Sequence, residues 1–255
     1  MLRETRCCLL WICSLAILPM SVAAWAQTPP QVPHYYARVN SFGVLAGYSN
    51  DSSHIILGTA EQRRILNLGV SYSRRILLSR FVNWQYDAEL LPVALESDPL
   101  TLSVNQETSP LMGTITDSGL QPMATCAPFT NNYTLTINGV VYSGADTFSC
   151  SGRQWTIGEA ISPVGMQWNF RPRSKVQPLV EGHGGYMYST RAIPIEGAGS
   201  FNFTFDLGAG LEIYRSRSQS IRAEYRIHHI SNHATALYNP GIDNGLFQVS
   251  YVFGR

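Results

Sequence analysis

The chain is poor in charge: Asp, Glu, Lys and Arg make up only 14% of its 255 residues, against about a quarter in an ordinary globular domain. Its net charge of +1 leaves no positive excess to neutralise phosphates, which excludes a basic nucleic-acid binder. Hydrophobic residues nevertheless reach 45% and aromatic residues 11%, so the chain is not disordered. Little charge with ordinary hydrophobicity indicates contact with lipid or a very large core.

Long apolar runs are missing beyond the amino terminus. Arg3 and Arg6 precede an apolar run over residues 7–23, and Ala24-Trp25-Ala26 places small residues where a signal peptidase reads the chain. We predict a secretory signal peptide over residues 1–26, cleaved before Gln27; a membrane-anchored amino terminus is the less favoured alternative. No later stretch of 18 apolar residues exists, so the sequence predicts no transmembrane helix.

Cysteine is also scarce. Three of the five cysteines, Cys7, Cys8 and Cys13, lie in the predicted signal and leave only Cys126 and Cys150. Two cysteines in an exported chain predict one disulfide. The six histidines are scattered and no glycine-rich phosphate loop occurs, so we expect neither a metal nor a cofactor.

Alternation of apolar and polar residues with a period of two recurs along the chain. Residues 201–214 show it best, with Phe201, Phe203 and Phe205 on one face and Asp206 and Glu212 on the other. Similar alternation occurs at 42–48, 66–72, 84–90, 164–170, 180–188, 221–227 and 247–253. Long strands with one apolar and one polar face suit a lipid-facing exterior and a polar lumen, whereas sandwich strands are usually shorter. We predict an all-β fold over 27–255, an eight-stranded antiparallel outer-membrane barrel filled by side chains.

The connections alternate in length. Short basic turns fall near 74–80, 171–175 and 215–219, and longer connections fall near 49–63, 95–154, 190–200 and 232–242. Short turns are expected in the periplasm and long loops outside. The turn arginines either hold anionic lipid headgroups or are simply solvated; the sequence leaves both open. In the external loop 95–154, Asn138-Gly139 predicts a type I′ hairpin, pinned by a Cys126–Cys150 disulfide.

The chemistry is concentrated at the end of the seventh predicted strand. His229 and Ser231 are two residues apart, so they share a strand face, and their spacing suits an imidazole that takes a proton from a serine hydroxyl. Both have the parity of the lipid-facing residue Ile221, and Asp243 has the parity of the lipid-facing residue Phe247 in the next strand. An acid there can orient His229 and complete a Ser-His-acid triad. By the same count His228 and His183 point into the lumen.

The segments His229-Ile230-Ser231-Asn232 and Asn239-Pro240-Gly241-Ile242-Asp243 resemble the active-site region of the lipid A 3-O-deacylase family, the PagL type of outer-membrane acyloxyacyl hydrolase. The resemblance implies an eight-stranded barrel that removes the ester-linked 3-hydroxyacyl chain at position 3 of lipid A. It further implies Ser231 as nucleophile, His229 as base, and Asn232 and Asn239 near the oxyanion. The partner would be lipopolysaccharide in the cell outer membrane, not nucleic acid, and a homodimer is left open.

Two features depart from the family pattern. The family acid is typically Glu, whereas Asp243 is one methylene shorter, and the disulfide-bearing loop 95–154 is longer than expected. Two other functions therefore stay open. One is a non-catalytic structural or adhesive barrel that presents residues 95–154, and the other is an outer-membrane phospholipase.

Overall fold

The computed structural model describes residues 34–255, so the predicted signal peptide and its cleavage site lie outside the described residues. The described residues form ten strands: β1 Asn40–Ser49, β2 Arg64–Leu78, β3 Val82–Ser109, β4 Gly113–Pro122, β5 Phe129–Ile137, β6 Val140–Phe170, β7 Val176–Ser189, β8 Phe201–Tyr214, β9 Gln219–Ser231 and β10 Ile242–Gly254. Within residues 34–255, no helix is long and apolar enough to cross a membrane.

Eight of these strands close into a ring. The sheet runs β3-β2-β1-β10-β9-β8-β7-β6, and β6 pairs back with β3. Every strand pair in the ring is antiparallel. Closure leaves the ring without a free edge, so its backbone groups are satisfied inside the sheet. The predicted eight-stranded antiparallel barrel is confirmed.

Burial follows the predicted alternation. In β8 the phenylalanines and leucines at odd positions are exposed, while Asn202, Asp206 and Glu212 are buried. The same inversion holds in β10, where Phe247, Tyr251 and Phe253 are exposed and Gln248 and Ser250 are buried. An apolar exterior around a polar interior is the opposite of a soluble core and is the arrangement of an outer-membrane barrel.

Charged side chains fill the lumen and compensate one another. Arg226 donates two hydrogen bonds to Glu89, at 3.0 and 2.8 Å, and two to Glu224, at 3.2 and 2.9 Å, and it also pairs with Glu181. Arg222 lies 3.3 Å from Glu224. All of these side chains are buried. Because a buried charge is costly unless paired, Arg226 holds together carboxylates from three other positions.

One lumen group has the geometry of a metal site. Ligand atoms of Asp87, Glu89 and His183 lie within 4.8 Å of one another. Arg226 already pairs with Glu89, and Arg222 lies 3.6 Å from Asp87. The negative charge of the group is therefore balanced by protein cations, and the group is explained as lumen packing.

Residues 95–154 form more regular structure than the single hairpin expected from the sequence. β3 and β6 stay paired beyond the barrel, as far as Thr108 opposite Ser143. β4 folds back on β3 and β5 pairs with β6, so the four strands make an external sheet. Alternating β-prone residues continue along β3 after Ser97, which explains why the strand does not end at the barrel rim.

The turn and disulfide of the external sheet have defined geometries. Asn138 and Gly139 have φ angles of 50° and 78°, the left-handed values that a type I′ turn requires. The Cys126–Cys150 disulfide, with Cα atoms 5.8 Å apart, is confirmed. It ties the segment between β4 and β5 to β6.

Replacing Arg226 with Ala should lower the free energy of unfolding by about 3–5 kcal/mol, because the buried carboxylates of Glu89 and Glu181 lose their paired guanidinium and Glu224 keeps only Arg222. Urea unfolding of the barrel in liposomes, followed by tryptophan fluorescence, measures the change. The exposed residue Arg74 in β2 is the matched control, and the free energy of unfolding of Arg74→Ala should stay within about 0.5 kcal/mol of the wild-type value. Equal midpoints for the two variants would contradict a stabilising lumen network.

Candidate active site

The hairpin of β9 and β10 brings His229 and Asp243 together. The two residues are direct cross-strand partners, and His229 Nδ1 lies 2.5 Å from Asp243 Oδ1. The His229 side chain is 16% exposed and the Asp243 side chain is fully buried. A carboxylate accepts from Nδ1–H, which leaves Nε2 of His229 free to take a proton.

The second oxygen of Asp243 accepts hydrogen bonds from the backbone of the connection between β1 and β2. The N–H groups of Ile56, Leu57 and Gly58 lie 2.5, 2.9 and 2.9 Å from Oδ2, and that of Ile55 lies at 3.2 Å. We call these four N–H groups the amide cradle. Donors directed at one oxygen stabilise the ionised carboxylate and fix its orientation.

Glycine is required where the cradle meets β10. A Cβ atom on Gly58 would lie 2.6 Å from the Asp243 nitrogen and 2.9 Å from its Cγ. Backbone hydrogen bonds from Thr59 to Pro240 at 2.6 Å and from Ala60 to Gly241 at 3.0 Å hold the connection against the start of β10. The absence of a side chain on Gly58 thus allows the backbone to approach the acid closely.

Ser231 lies on the outer face of β9, two residues beyond His229. Its hydroxyl donates to Asn239 Oδ1 at 3.0 Å and accepts from the His233 N–H at 3.1 Å. The Asn232 N–H donates to the same Asn239 oxygen at 3.1 Å. Among residues 34–255 no hydrogen bond joins Ser231 to His229, so the hydroxyl must rotate away from Asn239 before it can donate to His229 Nε2.

The orientation of the Asn239 amide follows from its partners. A backbone N–H can only donate, so the Asn239 atom that faces Asn232 must be the carbonyl oxygen. The Asn239 NH₂ group is therefore left as a donor on an exposed side chain, beside the serine. This is compatible with the predicted position of Asn239 near the oxyanion.

The side chain of Asn232, also predicted near the oxyanion, has a different position from the one expected. It is 2% exposed, and its Nδ2 donates to the carbonyl of Tyr238 at 2.6 Å and to that of Ala198. Both N–H bonds are engaged inside the protein, so this amide joins the connections 190–200 and 232–241. Parity could not reveal this, because Asn232 immediately follows the strand.

The backbone N–H of His233, the second residue after Ser231, donates to the serine hydroxyl. His233 and Ala234 both have left-handed φ angles, 53° and 57°, and such values are uncommon outside Gly, Asn and Asp. Nothing in the residue types signals this bend. The exposed His233 side chain lies beside Phe203, with ring centroids 6.1 Å apart.

An apolar cavity of about 500 Å³ opens at the site on the outer face of the barrel. Its lining residues are Leu57, Phe203, Thr204, Phe205, His229, Ser231, His233, Asn239 and Gly241. Phe203 and Phe205 are the β8 partners of Ser231 and His229. Their role was not predicted, although strand pairing between the predicted segments would have placed them beside the pair.

The other histidines of the barrel lie in the lumen, as their parity indicated. His228 pairs with Asp206, and His183 Nε2 lies 3.4 Å from Asp87. All four side chains are buried. Neither histidine contributes to the outer cavity.

Residues 126–252 match the family Lipid A 3-O-deacylase (PagL), which confirms the resemblance found in the sequence. The match includes β9 and β10 as far as Val252, but not the amide cradle. No curated protein sequence matches the chain.

Several solved structures are similar to the chain, and three of them are described here. The outer membrane enzyme PagL is 12% identical, with 84% of this chain and 99% of that chain covered and a TM-score of 0.47. Neisserial surface protein A is 8% identical, with coverages of 85% and 97% and a TM-score of 0.40. The outer membrane protein OprG from Pseudomonas aeruginosa is 8% identical, with coverages of 87% and 100% and a TM-score of 0.37.

Replacing Asp243 with Ala should raise the amide exchange rates of Ile56, Leu57 and Gly58 by about 10- to 100-fold. A hydrogen bond to a charged acceptor contributes about 1.5–3 kcal/mol, and each of these amides loses one. Hydrogen–deuterium exchange by NMR in detergent micelles measures the rates. The Ser53 amide, which donates to the main-chain oxygen of Asp243 at 3.1 Å, is the internal control. Equal acceleration at Ser53 would mean that the whole connection detaches.

Proposed function

We propose that the chain is an outer-membrane lipid A deacylase that hydrolyses the ester-linked 3-hydroxyacyl chain at position 3, with Ser231, His229 and Asp243 as its triad. The observation that carries the proposal is the hydrogen-bonded His229–Asp243 pair beside Ser231, in an apolar cavity on the outer face of a membrane barrel. Polar groups on that face are costly, which favours a chemical role for the His229–Asp243 pair and Ser231. The match to the lipid A 3-O-deacylase family over residues 126–252 supports the same substrate.

The first half of the proposed reaction forms an acyl-enzyme. The Ser231 hydroxyl turns from Asn239 to His229 Nε2, gives up its proton and attacks the ester carbonyl. His229 then passes that proton to the sugar oxygen as the C–O bond breaks. In the second half His229 takes a proton from water, and the resulting hydroxide attacks the carbonyl of the acyl-enzyme. His229 then returns the proton to Ser231 Oγ as the acyl C–O bond breaks, which releases a 3-hydroxy fatty acid and restores the serine.

Asp243 serves this cycle as a fixed counter-charge. His229 becomes positively charged when it holds the serine proton, and a carboxylate at 2.5 Å from Nδ1 stabilises that form and fixes the ring. The amide cradle keeps the other oxygen of Asp243 in place. The acid is thereby preorganised before substrate arrives.

Two donors are available for the negative charge that develops on the ester oxygen. The His233 N–H lies 3.1 Å from Ser231 Oγ. Asn239, whose Oδ1 lies 3.0 Å from the same hydroxyl, carries an NH₂ group on an exposed side chain. Donors fixed in advance next to a developing oxyanion stabilise it strongly in an apolar site. We assign this role to His233 N–H and Asn239, and a positioning role to Asn232.

The position of the cavity favours a lipid substrate that arrives laterally. Ser231 ends β9 where the long connection 232–241 begins, so it lies at the external end of the barrel. Phe203 and Phe205 provide an apolar wall beside Ser231 and His229. An acyl chain of the outer leaflet can lie against this wall without leaving the membrane.

Ser231→Ala should reduce lipid A hydrolysis by at least about a thousandfold, because the nucleophile of a triad cannot be replaced by its neighbours. Mass spectrometry of lipid A from Gram-negative cells that express each protein measures the reaction. The wild type and the control Ser218→Ala, at the opposite end of the barrel, should each remove one 3-hydroxyacyl mass. Unchanged lipid A from a correctly folded wild type would favour the loop-presenting barrel, and phospholipid cleavage alone would favour a phospholipase.

Asp243→Glu should lower kcat/KM at least about tenfold, a loss of about 1.4 kcal/mol, although the family acid is typically Glu. The added methylene pushes the carboxylate into the amide cradle, where a Gly58 Cβ already has no room. Asp243→Asn should lower kcat/KM by about 10⁴-fold, because an amide in place of the carboxylate cannot hold His229 in the same protonation state. Both are measured on purified lipid A in detergent. Full activity of the Glu variant would show that the cradle does not determine the length of the acid.

A further inference from the structure

Three arginines gather at the end of the barrel opposite to Ser231. Arg80 lies in the turn between β2 and β3, and Arg171 and Arg173 lie in the turn between β6 and β7. β3 and β6 are paired, with Val82 opposite Phe170, so the two turns lie side by side. Arg80, Phe81, Arg171, Arg173 and Ser174 line a cavity of about 350 Å³, which we call the arginine cleft.

Backbone hydrogen bonds hold the cleft in shape. The Ser79 N–H donates to Val82 O at 2.9 Å, and Ser79 Oγ accepts from the Val82 N–H at 3.0 Å. The Arg171 N–H donates to Phe81 O at 2.8 Å and so joins the two turns. Arg171 has a left-handed φ of 59°, which this bond helps to maintain. The three guanidinium groups are therefore presented on a fixed frame, which lowers the entropy cost of binding.

The charge of the cleft is unbalanced. Arg80, Arg171 and Arg173 are exposed, and within residues 34–255 no carboxylate lies within ion-pairing distance of any of them. Segments 74–81, 171–175 and 215–219 contain no Asp or Glu. Aromatic rings orient two of the guanidinium groups, Arg80 at 4.4 Å over Phe81 and Arg173 at 5.2 Å over Tyr35. Convergent, unpaired guanidinium groups match a phosphate.

The surroundings of the cleft distinguish a lipid from a free ion. Phe81 is 65% exposed, and Leu77, Phe170 and Val176 are exposed around the same two turns. Inorganic phosphate gains nothing from contact with apolar side chains. A phospholipid has both a phosphate, which can bind the guanidinium groups, and acyl chains, which can contact the apolar side chains around them. We propose that the arginine cleft binds the headgroup of an anionic phospholipid in the periplasmic leaflet. This binding lies at the far end of the barrel from the triad and does not depend on deacylation.

The test measures phosphatidylglycerol binding to the full barrel in detergent by native mass spectrometry. R80Q/R171Q/R173Q removes the cleft, and R74Q/R215Q/R217Q removes the same charge from exposed positions elsewhere on the rim. The wild type and the control should each retain one tightly bound phosphatidylglycerol. The cleft variant should bind about a hundredfold more weakly, since each basic residue near an anionic lipid contributes about a fivefold factor.

Three outcomes would overturn the proposal. Equal losses in the two triple variants would mean diffuse attraction to the whole rim. Equal binding of phosphatidylethanolamine would mean that headgroup charge is not recognised, and full displacement by millimolar inorganic phosphate would mean a simple anion site. Heat-modifiable migration in gel electrophoresis checks folding. Should the triple variant not fold, R80Q alone should show the loss, at about fivefold, and no loss in R80Q would contradict the cleft.

Discussion

The pairing of β3 with β6 is the interaction on which the structure depends. These two strands are far apart in the sequence, and their ladder converts a meander of hairpins into a closed ring. A chain that crosses lipid with strands must satisfy every backbone N–H and C=O within the sheet, because hydrocarbon offers no partner. The same pairing continues beyond the barrel and forms the centre of the external sheet. It also aligns the turns that carry the arginine cleft.

Closure gives each strand two chemically different faces. Residues of one parity enter a lumen where Arg222 and Arg226 balance buried carboxylates, and residues of the other parity face lipid. His228 and His229 are adjacent in the sequence but belong to these two environments, the first paired with Asp206 and the second with Asp243. A one-residue difference in parity therefore separates a lumen-packing histidine from the proposed base.

The acid illustrates how the site uses parts that are remote in sequence. Asp243 contacts His229 of the paired strand β9. Its other oxygen accepts hydrogen bonds from the amide cradle, which belongs to the connection between β1 and β2. The short Asp243 side chain reaches the cradle because the backbone lies close to it, and Gly58 permits that approach. The cradle also buries Asp243 on a face that would otherwise expose its charge to lipid, which removes much of the cost of a carboxylate there.

The period of two in the sequence determined the eight barrel strands, their apolar and polar faces, and the outward parity of His229, Ser231 and Asp243, because alternation is a local property of an extended chain. Only the tertiary structure decided which groups from other segments contact these residues. The cradle N–H groups and the His233 N–H are backbone groups, carried by every residue type except proline. The Asn232 side chain points inward because its amide donates to the carbonyls of Ala198 and Tyr238. The arginine cleft depends on two turns that are adjacent only because β3 pairs with β6. The cradle, the Asn232–Ala198 contact and the cleft join segments that are distant in the sequence, and a local pattern of residue types holds no information about them.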